Sequence, residues 1–355
     1  MKEFGDSPAV DSIDLVVEPG TFCALIGPSG CGKTTTLRLI SGMETPTSGQ
    51  VLLNGNDVTY VSPRNRKTPL VWQSFALFPH LTVRGNVEFG LRMSGVDSGE
   101  RRSRAMKLLE YMGLAEMENR PVVTLSGGQR QRVGLARALV METGILLLDE
   151  PLGSLDANLR IVMQSELKKL QRELQLTFVY VTHNQNEALA MADQIVVMND
   201  GHIEQGGSAS DVYLRPATQF VAEFVGANNI FGAQVITTNG THMEVETEIG
   251  RFKIASGLGA PDGSERHRAG SAISFVVQAS RLRLSTGNGQ NVLRGKVITH
   301  EFSGALVTTF VELDDGRLLK LQRPEIEVMG REEAPDEMIS LTWRPEDVHI
   351  LPEDR

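Results

Sequence analysis

The stretch TFCALIGPSGCGKTTTLRLI, residues 21–40, decides the fold class. Its first six residues are almost wholly apolar and end at a glycine, which is typical of a buried strand. The turn GPSGCGKT follows at 27–34, and the segment TTTLRLISGM at 34–43 has the composition of a helix. A strand, a glycine turn and a helix in this order are the setting that a phosphate-binding loop requires.

The turn also has the spacing of such a loop, because Gly27, Gly32, Lys33 and Thr34 match G-x-x-x-x-G-K-[ST]. Glycines let successive backbone N–H groups turn inward around an anion, and the positive end of the following helix faces the same place. We expect Lys33 to neutralise the β and γ phosphates of a nucleotide and the Thr34 hydroxyl to ligate Mg²⁺. The alternative is an ordinary glycine turn, which the strand and helix on either side disfavour.

The stretch ILLLDE, residues 145–150, predicts a second buried strand, which ends in two carboxylates. The carboxyl ends of strands form the ligand-binding edge of open α/β sheets. We therefore expect Asp149 to hold the metal and Glu150 to act as general base on the attacking water. The alternative is a pair of solvated acids at a strand end.

The stretch LSGGQ, residues 125–129, predicts a helix start capped by Ser126. It is therefore a second anion-binding helix start, or else a simple capping motif. Three single residues are weaker candidates. His183 follows the strand TFVYVT, Gln73 lies in the apolar segment VWQSFALFPHLTV, and Phe4 precedes a glycine near the N-terminus.

Farther along the chain, short apolar runs alternate with amphipathic segments, which favours a sheet with helices on both faces. The predicted strands are 13–17, 145–148, 177–182 and 194–198, and the predicted helices are 101–112, 126–140, 157–174 and 186–192. Beyond residue 230 strand signals dominate, with a hairpin at Asp315-Gly316, strands at 271–278 and 338–343 and a loop at 257–270. We predict a second domain that is small, all-β and barrel-like.

Composition excludes several classes of protein. The 355 residues suit two domains, and the net charge of -9 argues against nucleic acid as the main partner. The two cysteines, Cys23 and Cys31, do not make a disulfide framework and fit a reducing cytoplasm. We expect no signal peptide and no membrane-spanning run, so another chain must hold the protein at any membrane where it works.

Together and in this order, these motifs resemble those of the ATP-binding subunit of an ATP-binding cassette (ABC) transporter. The stretches GPSGCGKT, ILLLDE and LSGGQ resemble its Walker A loop, Walker B strand and signature, and the signature separates it from other nucleotidases. Gln73 matches the glutamine of its Q-loop, SLDA at 154–157 its D-loop with Asp156, and His183 its switch histidine. KEFG places Phe4 at the aromatic residue that stacks on adenine.

The resemblance implies an α/β P-loop NTPase cassette with a RecA-like core and a helical subdomain at 1–230. A transport-associated OB-type (TOBE) β-domain would follow at 231–355. The implied catalytic residues are Lys33, Glu150 and His183, and the implied Mg²⁺ ligands are Thr34, Gln73 and Asp149. The implied ATP-binding residues are Phe4, Gly27, Pro28, Ser29, Gly30, Cys31, Gly32, Lys33, Thr34, Thr35, Gln73, Ser126, Gly127, Gly128, Gln129 and Asp156.

The tail, with WRPEDVHIL, is similar to that of importers, most of all the polyamine (spermidine/putrescine) group; ferric iron, sulfate, sugars and glycerol phosphate are the alternative substrates. The resemblance implies a second copy of the chain, two membrane-spanning permease subunits, a solute-binding protein and a place on the cytoplasmic face of the membrane. ATP would lie between the Walker A loop of one copy and the LSGGQ of the other.

The sequence departs from the family pattern at three points. Family members have one more strand before KEFG, an aspartate where Asn184 stands, and usually a serine where Gly153 stands. The rival functions are a soluble ABC ATPase associated with nucleic acid, a P-loop kinase or other nucleotidase, and a non-enzymatic regulator. Long coiled coils or a second cassette would favour the first, and a second substrate pocket would favour the second.

Overall fold

The structure is a computed structural model, which describes residues 1–5, 7–256, 267–285, 287, 289–328, 330 and 332–352. The chain forms two compact units, residues 1–209 and 210–355. The boundary predicted from the sequence, between the ATP-binding domain at 1–230 and the β-domain at 231–355, stays a prediction.

The first unit is built on a six-stranded sheet in the order β10-β9-β3-β8-β7-β6, in which β10 alone is antiparallel to its neighbour. Small antiparallel pairs, β1-β2 and β4-β5, lie outside it. The strands are β1 Lys2–Phe4, β2 Ser7–Val10, β3 Phe22–Ile26, β4 Leu52–Leu53, β5 Asn56–Asp57, β6 Leu70–Val71, β7 Ile145–Asp149, β8 Thr177–Val181, β9 Gln194–Asn199 and β10 His202–Gly207.

The helices fill the connections between strands. They are α1 Lys33–Ser41, α2 Pro63–Arg66, α3 Val83–Met93, α4 Ser98–Tyr111, α5 Gly127–Leu139, α6 Ala157–Glu173, α7 Gln185–Met191, α8 Ala209–Leu214, α9 Gln219–Phe224 and α10 Glu325–Val328. Short 3-10 helices occupy Ala115–Met117, Val122–Thr124 and Pro345–Asp347. Helices α3, α4 and α5 share a core of their own, which includes Val87, Leu109 and Val133, so the expected helical subdomain is confirmed.

All five residues of β3 are fully buried, as its continuous apolar run predicts for a strand covered on both faces. The predicted strand at 13–17 is wrong, because these residues pair with no other strand. The alternation nonetheless has a physical meaning. Ile13, Leu15 and Val17 are half-buried against the core of the sheet, while Asp14 and Val16 are exposed.

The second unit is rich in β-strands, as the sequence predicts. The strands are β11 Asn228–Thr238, β12 His242–Thr247, β13 Gly250–Ala255, β14 Ala272–Gln278, β15 Arg283–Leu284, β16 Val292–Phe302, β17 Leu306–Glu312, β18 Leu318–Pro324, β19 Met338–Thr342 and β20 Val348–Ile350. They form two five-stranded antiparallel sheets, in the orders β13-β12-β11-β14-β20 and β15-β19-β16-β17-β18.

Apolar side chains from both sheets, among them Phe231, Phe275, Leu321 and Trp343, form one core. The hairpin of β17 and β18 turns at Asp315-Gly316, as predicted, and Gly316 has the positive φ of 82° that such a turn favours. Of the predicted loop at 257–270, residues 257–266 lie outside the described residues.

Candidate active site

The loop between β3 and α1 contains two glycines at which a side chain would collide with the backbone of a neighbouring segment. Gly27 and Gly32 have φ values of 154° and 103°. A Cβ on Gly27 would lie 2.1 Å from the carbonyl oxygen of Met198, and one on Gly32 would lie 2.4 Å from that of Ala9. A Cβ on Gly30 would have no atom within 4 Å. The loop therefore packs closely against backbone at Gly27 and Gly32 and is open at Gly30.

Lys33 lies within this loop. Its Nζ donates hydrogen bonds to the carbonyl oxygens of Gly27 at 2.8 Å and Pro28 at 2.7 Å and lies 3.5 Å from the buried Cys31 Sγ. Ser29 and Gly30 are exposed at the tip, while Thr34 and Thr35 are half-buried at the start of α1. The loop thus combines a fixed cation with accessible backbone donors at a helix N-terminus, as an anion site requires.

A second group of oxygen ligands lies next to the loop. Thr34 Oγ1 donates to Asp149 Oδ1 at 3.2 Å, which brings together two of the three side chains predicted to hold Mg²⁺; Gln73 is not part of this contact. Burial raises the pKa of Asp149; the hydrogen bond from Thr34 opposes this shift, and the charge of Glu150 adds to it. The positive charge of Arg38, one turn beyond Thr34 on α1, lowers the pKa of Asp149 and so opposes the effect of Glu150. This arginine was missed from the sequence, although its i+4 spacing from Thr34 was a usable signal.

The donors of this group fit Mg²⁺, which prefers hard oxygen ligands and keeps several of its waters. A hydroxyl and a carboxylate are present, and a nucleotide would supply phosphate oxygens. The described part of the chain holds no cluster of three or more His, Cys, Asp or Glu side chains that would make a self-sufficient metal site. The Thr34 hydroxyl and the Asp149 carboxylate are the donors that this part of the chain offers to such a metal.

Glu150 and His183 are brought into contact at the end of the sheet. Glu150 Oε2 lies 3.1 Å from His183 Nδ1, and the side chains are 27% and 62% exposed. Glu150 has a left-handed φ of 47°, and its backbone N–H donates to the carbonyl oxygen of Val181 at 3.0 Å, next to the last paired residues of β7 and β8. Such strained conformations are typical of functional sites. A carboxylate next to an imidazole, with partial access to solvent, is suitable for activating a water molecule.

Gln73 lies near the same pair, in a segment held in an unusual conformation. A Cβ on Gly153 would lie 3.1 Å from Gln73 Nε2, so a serine at that position would crowd the amide. Phe75 and Ala76 have left-handed φ values of 59° and 42°. Their carbonyl oxygens accept hydrogen bonds, both of 2.7 Å, from the guanidinium of Arg137 on α5. Sequence reasoning missed Arg137, since an arginine late in a helix gives no signal of a distant carbonyl partner.

A groove of about 510 Å³ opens next to this segment. It is lined by Gln73, Ser74, Phe75, Leu77, Pro79, Val122, Val123, Arg130 and Ser154. The apolar segment singled out in the sequence therefore forms one wall of a surface groove, with Phe75 buried in the core beneath it.

The LSGGQ stretch caps α5, as predicted. Gln129 N–H donates to Ser126 Oγ at 3.4 Å and the Gln129 side chain accepts from Ser126 N–H at 3.0 Å, which is a complete capping box. Among the described residues, no hydrogen bond or ion pair joins residues 125–129 to the loop at 27–34. The chain therefore presents two separate helix N-termini for anions.

Two further candidates lie on the surface. Asp156 caps α6 by accepting a hydrogen bond from Leu159 N–H at 2.9 Å. Phe4 on β1 is 51% exposed, and Lys2 Nζ lies 4.8 Å from the centre of its ring. The ring is therefore partly accessible from solvent.

Comparison with known proteins gives a consistent result. The model of the ABC transporter family matches residues 10–153, and that of the TOBE domain matches residues 275–351. The spermidine/putrescine import ATP-binding protein of Frankia alni is 44% identical over 98% of this chain and 76% of its own length. The Fe(3+) ions import ATP-binding protein of Rhizobium etli is 43% identical over 89% of this chain and 87% of its own length.

Two solved structures resemble the first unit. A dimeric ATP-binding cassette with bound ADP and phosphate is 33% identical over 58% of this chain and 94% of its own length, with a TM-score of 0.52. The cbiO1 protein of Clostridium perfringens is 29% identical over 57% of this chain and 83% of its own length, with a TM-score of 0.54. Among the described residues, the chain has no helix with the length and apolar character that a bilayer crossing demands.

Proposed function

The chain belongs to the ABC transporter family, and on that premise we propose that it is the ATP-hydrolysing subunit of an importer. The observation that carries the proposal is the convergence of three features at one sheet edge. These are a glycine loop with a buried lysine, the pair Thr34 and Asp149, and the contact between Glu150 and His183. A kinase or other nucleotidase would account for the glycine loop and for the pair Thr34 and Asp149. It would not account for a further feature of the chain, the second helix N-terminus at LSGGQ.

The residues of the chain divide the work of hydrolysis. Backbone N–H groups of residues 27–34 and the start of α1 would hold the phosphates, while Lys33 exchanges its two carbonyl partners for phosphate oxygens. Thr34, Asp149 and Gln73 would hold Mg²⁺, which when bound neutralises charge on the phosphates. Glu150 would take the proton of the attacking water. His183 would orient Glu150, and through it the water, by its contact with the Glu150 carboxylate.

Two copies of the chain would complete the site. The chain has one phosphate loop and one LSGGQ helix, and among the described residues no hydrogen bond or ion pair joins them. A triphosphate held by the loop of one copy and Ser126 of the other would bridge two helix N-termini and draw the copies together. The dimeric cassette with ADP and phosphate supports this arrangement. Hydrolysis removes the bridging charge, so the copies separate.

The mechanical output would pass to permease subunits in a membrane. The groove beside Gln73, with Leu77, Pro79, Val122 and Val123 among its lining residues, would receive a short helix from such a subunit. The chain would then lie peripherally on the cytoplasmic face, with a solute-binding protein as a further component of the transporter. The segment with Phe75 and Ala76, held by Arg137, would connect that groove to the metal side of the site.

Polyamines are the substrate that we propose, because importers named for spermidine and putrescine match almost the whole chain at 43–44% identity. Ferric iron is the second candidate, on the ground of the iron importers at similar identity. The test is uptake of labelled spermidine and of ferric iron by proteoliposomes that contain the chain, its two permease subunits and ATP, with the solute-binding protein of the transporter added on the substrate side. Uptake of iron without spermidine would reverse the assignment, and a matched preparation with Glu150→Gln controls for leakage.

A further inference from the structure

Glu187, on α7, is a buried carboxylate that the proposed mechanism does not use. The residue is only 3% exposed. Its Oε2 accepts hydrogen bonds from Tyr180 Oη at 2.5 Å and from Thr182 Oγ1 at 2.9 Å. Burial and the nearby carboxylate raise the pKa of Tyr180 well above its ordinary value, so the phenol stays a donor. Glu187 thereby fixes α7 against the end of β8.

His183 lies between the two points that Glu187 fixes. Thr182 precedes it, and the same Thr182 Oγ1 accepts a hydrogen bond from Asn184 N–H at 3.0 Å. Asn184 in turn caps α7 by accepting from Asn186 N–H at 3.0 Å. The backbone on both sides of His183 is therefore tied to one carboxylate, and a shift of that carboxylate would move the imidazole that contacts Glu150.

The other oxygen of Glu187 faces an arginine from the D-loop region. Glu187 Oε1 lies 3.7 Å from Arg160 Nε, which is an ion pair longer than a hydrogen bond. Arg160 Nη2 donates to the carbonyl oxygen of Leu155, within SLDA, at 3.0 Å. The buried Arg160 Nε has no hydrogen-bond partner among the described residues. A small movement of α6 would therefore either close this gap to a hydrogen bond with Glu187 or widen it.

The same end of α6 touches the LSGGQ glycines. A Cβ on Gly127 would lie 3.5 Å from Leu155 Cδ2, and one on Gly128 would lie 3.2 Å from Leu159 Cδ1 and Cδ2. The LSGGQ helix thus lies next to Leu155 and Leu159, with little room for a side chain at Gly128. A path of neighbouring residues runs from this helix through Leu155 and Arg160 to Glu187.

We propose that Arg160 and Glu187 form a relay that sets the position of His183 according to what is bound at LSGGQ. This rests on the proposed function, in which LSGGQ of one copy serves the ATP of its partner while His183 serves the ATP of its own copy. The relay then connects the two ATP sites of the dimer through a single subunit. Arg160 and Glu187 are positioning residues, since they act on His183 through the backbone around it and neither belongs to the proposed nucleotide site.

The test compares steady-state ATP hydrolysis by wild-type protein, Arg160→Met, Glu187→Gln and the double variant. Lys168→Met is the matched control, because Lys168 joins α6 to the end of α7 by donating to the carbonyl oxygen of Met191 at 2.5 Å and to Asp193 at 2.6 Å, about three turns beyond the D-loop. We expect each relay variant to lower kcat about ten-fold, to leave the ATP dissociation constant within about two-fold and to bring the Hill coefficient for ATP from above 1 to about 1.

The double variant should be no slower than the slower single variant, because both substitutions break one connection. Lys168→Met should lower the melting temperature and leave the wild-type Hill coefficient. Relay variants that keep the wild-type Hill coefficient, or a wild-type enzyme with a Hill coefficient of 1, would overturn the relay. A wild-type protein that hydrolyses no ATP would instead overturn the proposed function. If Arg160→Met does not fold, Arg160→Lys takes its place; it keeps the charge and should retain part of the cooperativity. In that case a wild-type Hill coefficient in Glu187→Gln would decide against the relay.

Discussion

Replacing Glu150 by glutamine removes the group that would take a proton from water and changes little else. The amide has nearly the volume of the carboxyl, can still meet His183 Nδ1 across the 3.1 Å contact, and occupies a side chain that is only 27% exposed. General bases contribute about 10²- to 10⁴-fold, so the barrier to hydrolysis should rise by about 3 to 5 kcal/mol. Binding of ATP depends on the loop and should be unchanged. ATP should therefore hold two copies together for as long as it stays intact.

Two measurements check this prediction, phosphate release under saturating ATP and light scattering after gel filtration with ATP and Mg²⁺. The matched control is Glu142→Gln, because Glu142 undergoes the same chemical change at a similar left-handed φ, 51° against 47°, on the surface. We expect the control to hydrolyse ATP at the wild-type rate. Near-normal phosphate release by Glu150→Gln would refute the role of Glu150 as base, and a variant that stays monomeric with bound ATP would refute the proposed bridge.

Four further predictions follow from the same structure. Lys33→Ala should weaken ATP binding about 10- to 100-fold through loss of charged hydrogen bonds, and an unchanged dissociation constant in calorimetry would count against the loop. Gly32→Ala should lower the free energy of unfolding more than Gly30→Ala. Both glycines have positive φ, but only the first substitution would place a Cβ 2.4 Å from a carbonyl oxygen. Equal free energies of unfolding for the two variants in urea titrations would contradict this. Specific ATPase activity should rise with protein concentration, whereas constant activity on dilution of a monomer would oppose the two-copy site. Arg323→Met should cost the second unit about 3 kcal/mol, since both partners of the pair with Glu333 are 10% exposed.

The last pair also predicts a dependence on pH. Burial raises the pKa of Glu333, but the hydrogen bond and charge of Arg323 outweigh it and hold the pKa below its ordinary value. A carboxyl with a lowered folded-state pKa contributes stability above its unfolded pKa and loses it as the pH falls through the folded pKa. The free energy of unfolding of wild-type protein should therefore fall in this acidic window more steeply than that of Arg323→Met. Parallel curves for the two proteins would contradict the assignment.

The sequence predicted the fold best where local pattern and tertiary setting agree. The buried run of β3, the Gly316 turn and the cap at Ser126 each follow from rules that act within a few residues. The run at 13–17 shows the limit. Its period of two correctly separates half-buried from exposed side chains, but pairing depends on a neighbouring strand that no local pattern specifies.

The sequence predicted individual residues of the candidate site but not the contacts that connect them. Lys33, Thr34, Asp149 and Glu150 have recognisable spacing because phosphate and metal chemistry fixes the residue type. Glu187 was missed, since it follows the helix cap Asn184 by three residues, the position of an ordinary capping glutamate. In the structure its carboxylate turns inward to β8 instead, a choice made by tertiary packing.

The most direct test of the account is a structure of Glu150→Gln with ATP and Mg²⁺. We predict a two-fold dimer in which Ser126 Oγ of each copy lies within hydrogen-bonding distance, about 3 Å, of the terminal phosphoryl group held by Lys33 of the other copy. A nucleotide-loaded structure in which residues 125–129 of both copies lie far from every terminal phosphoryl group would contradict it.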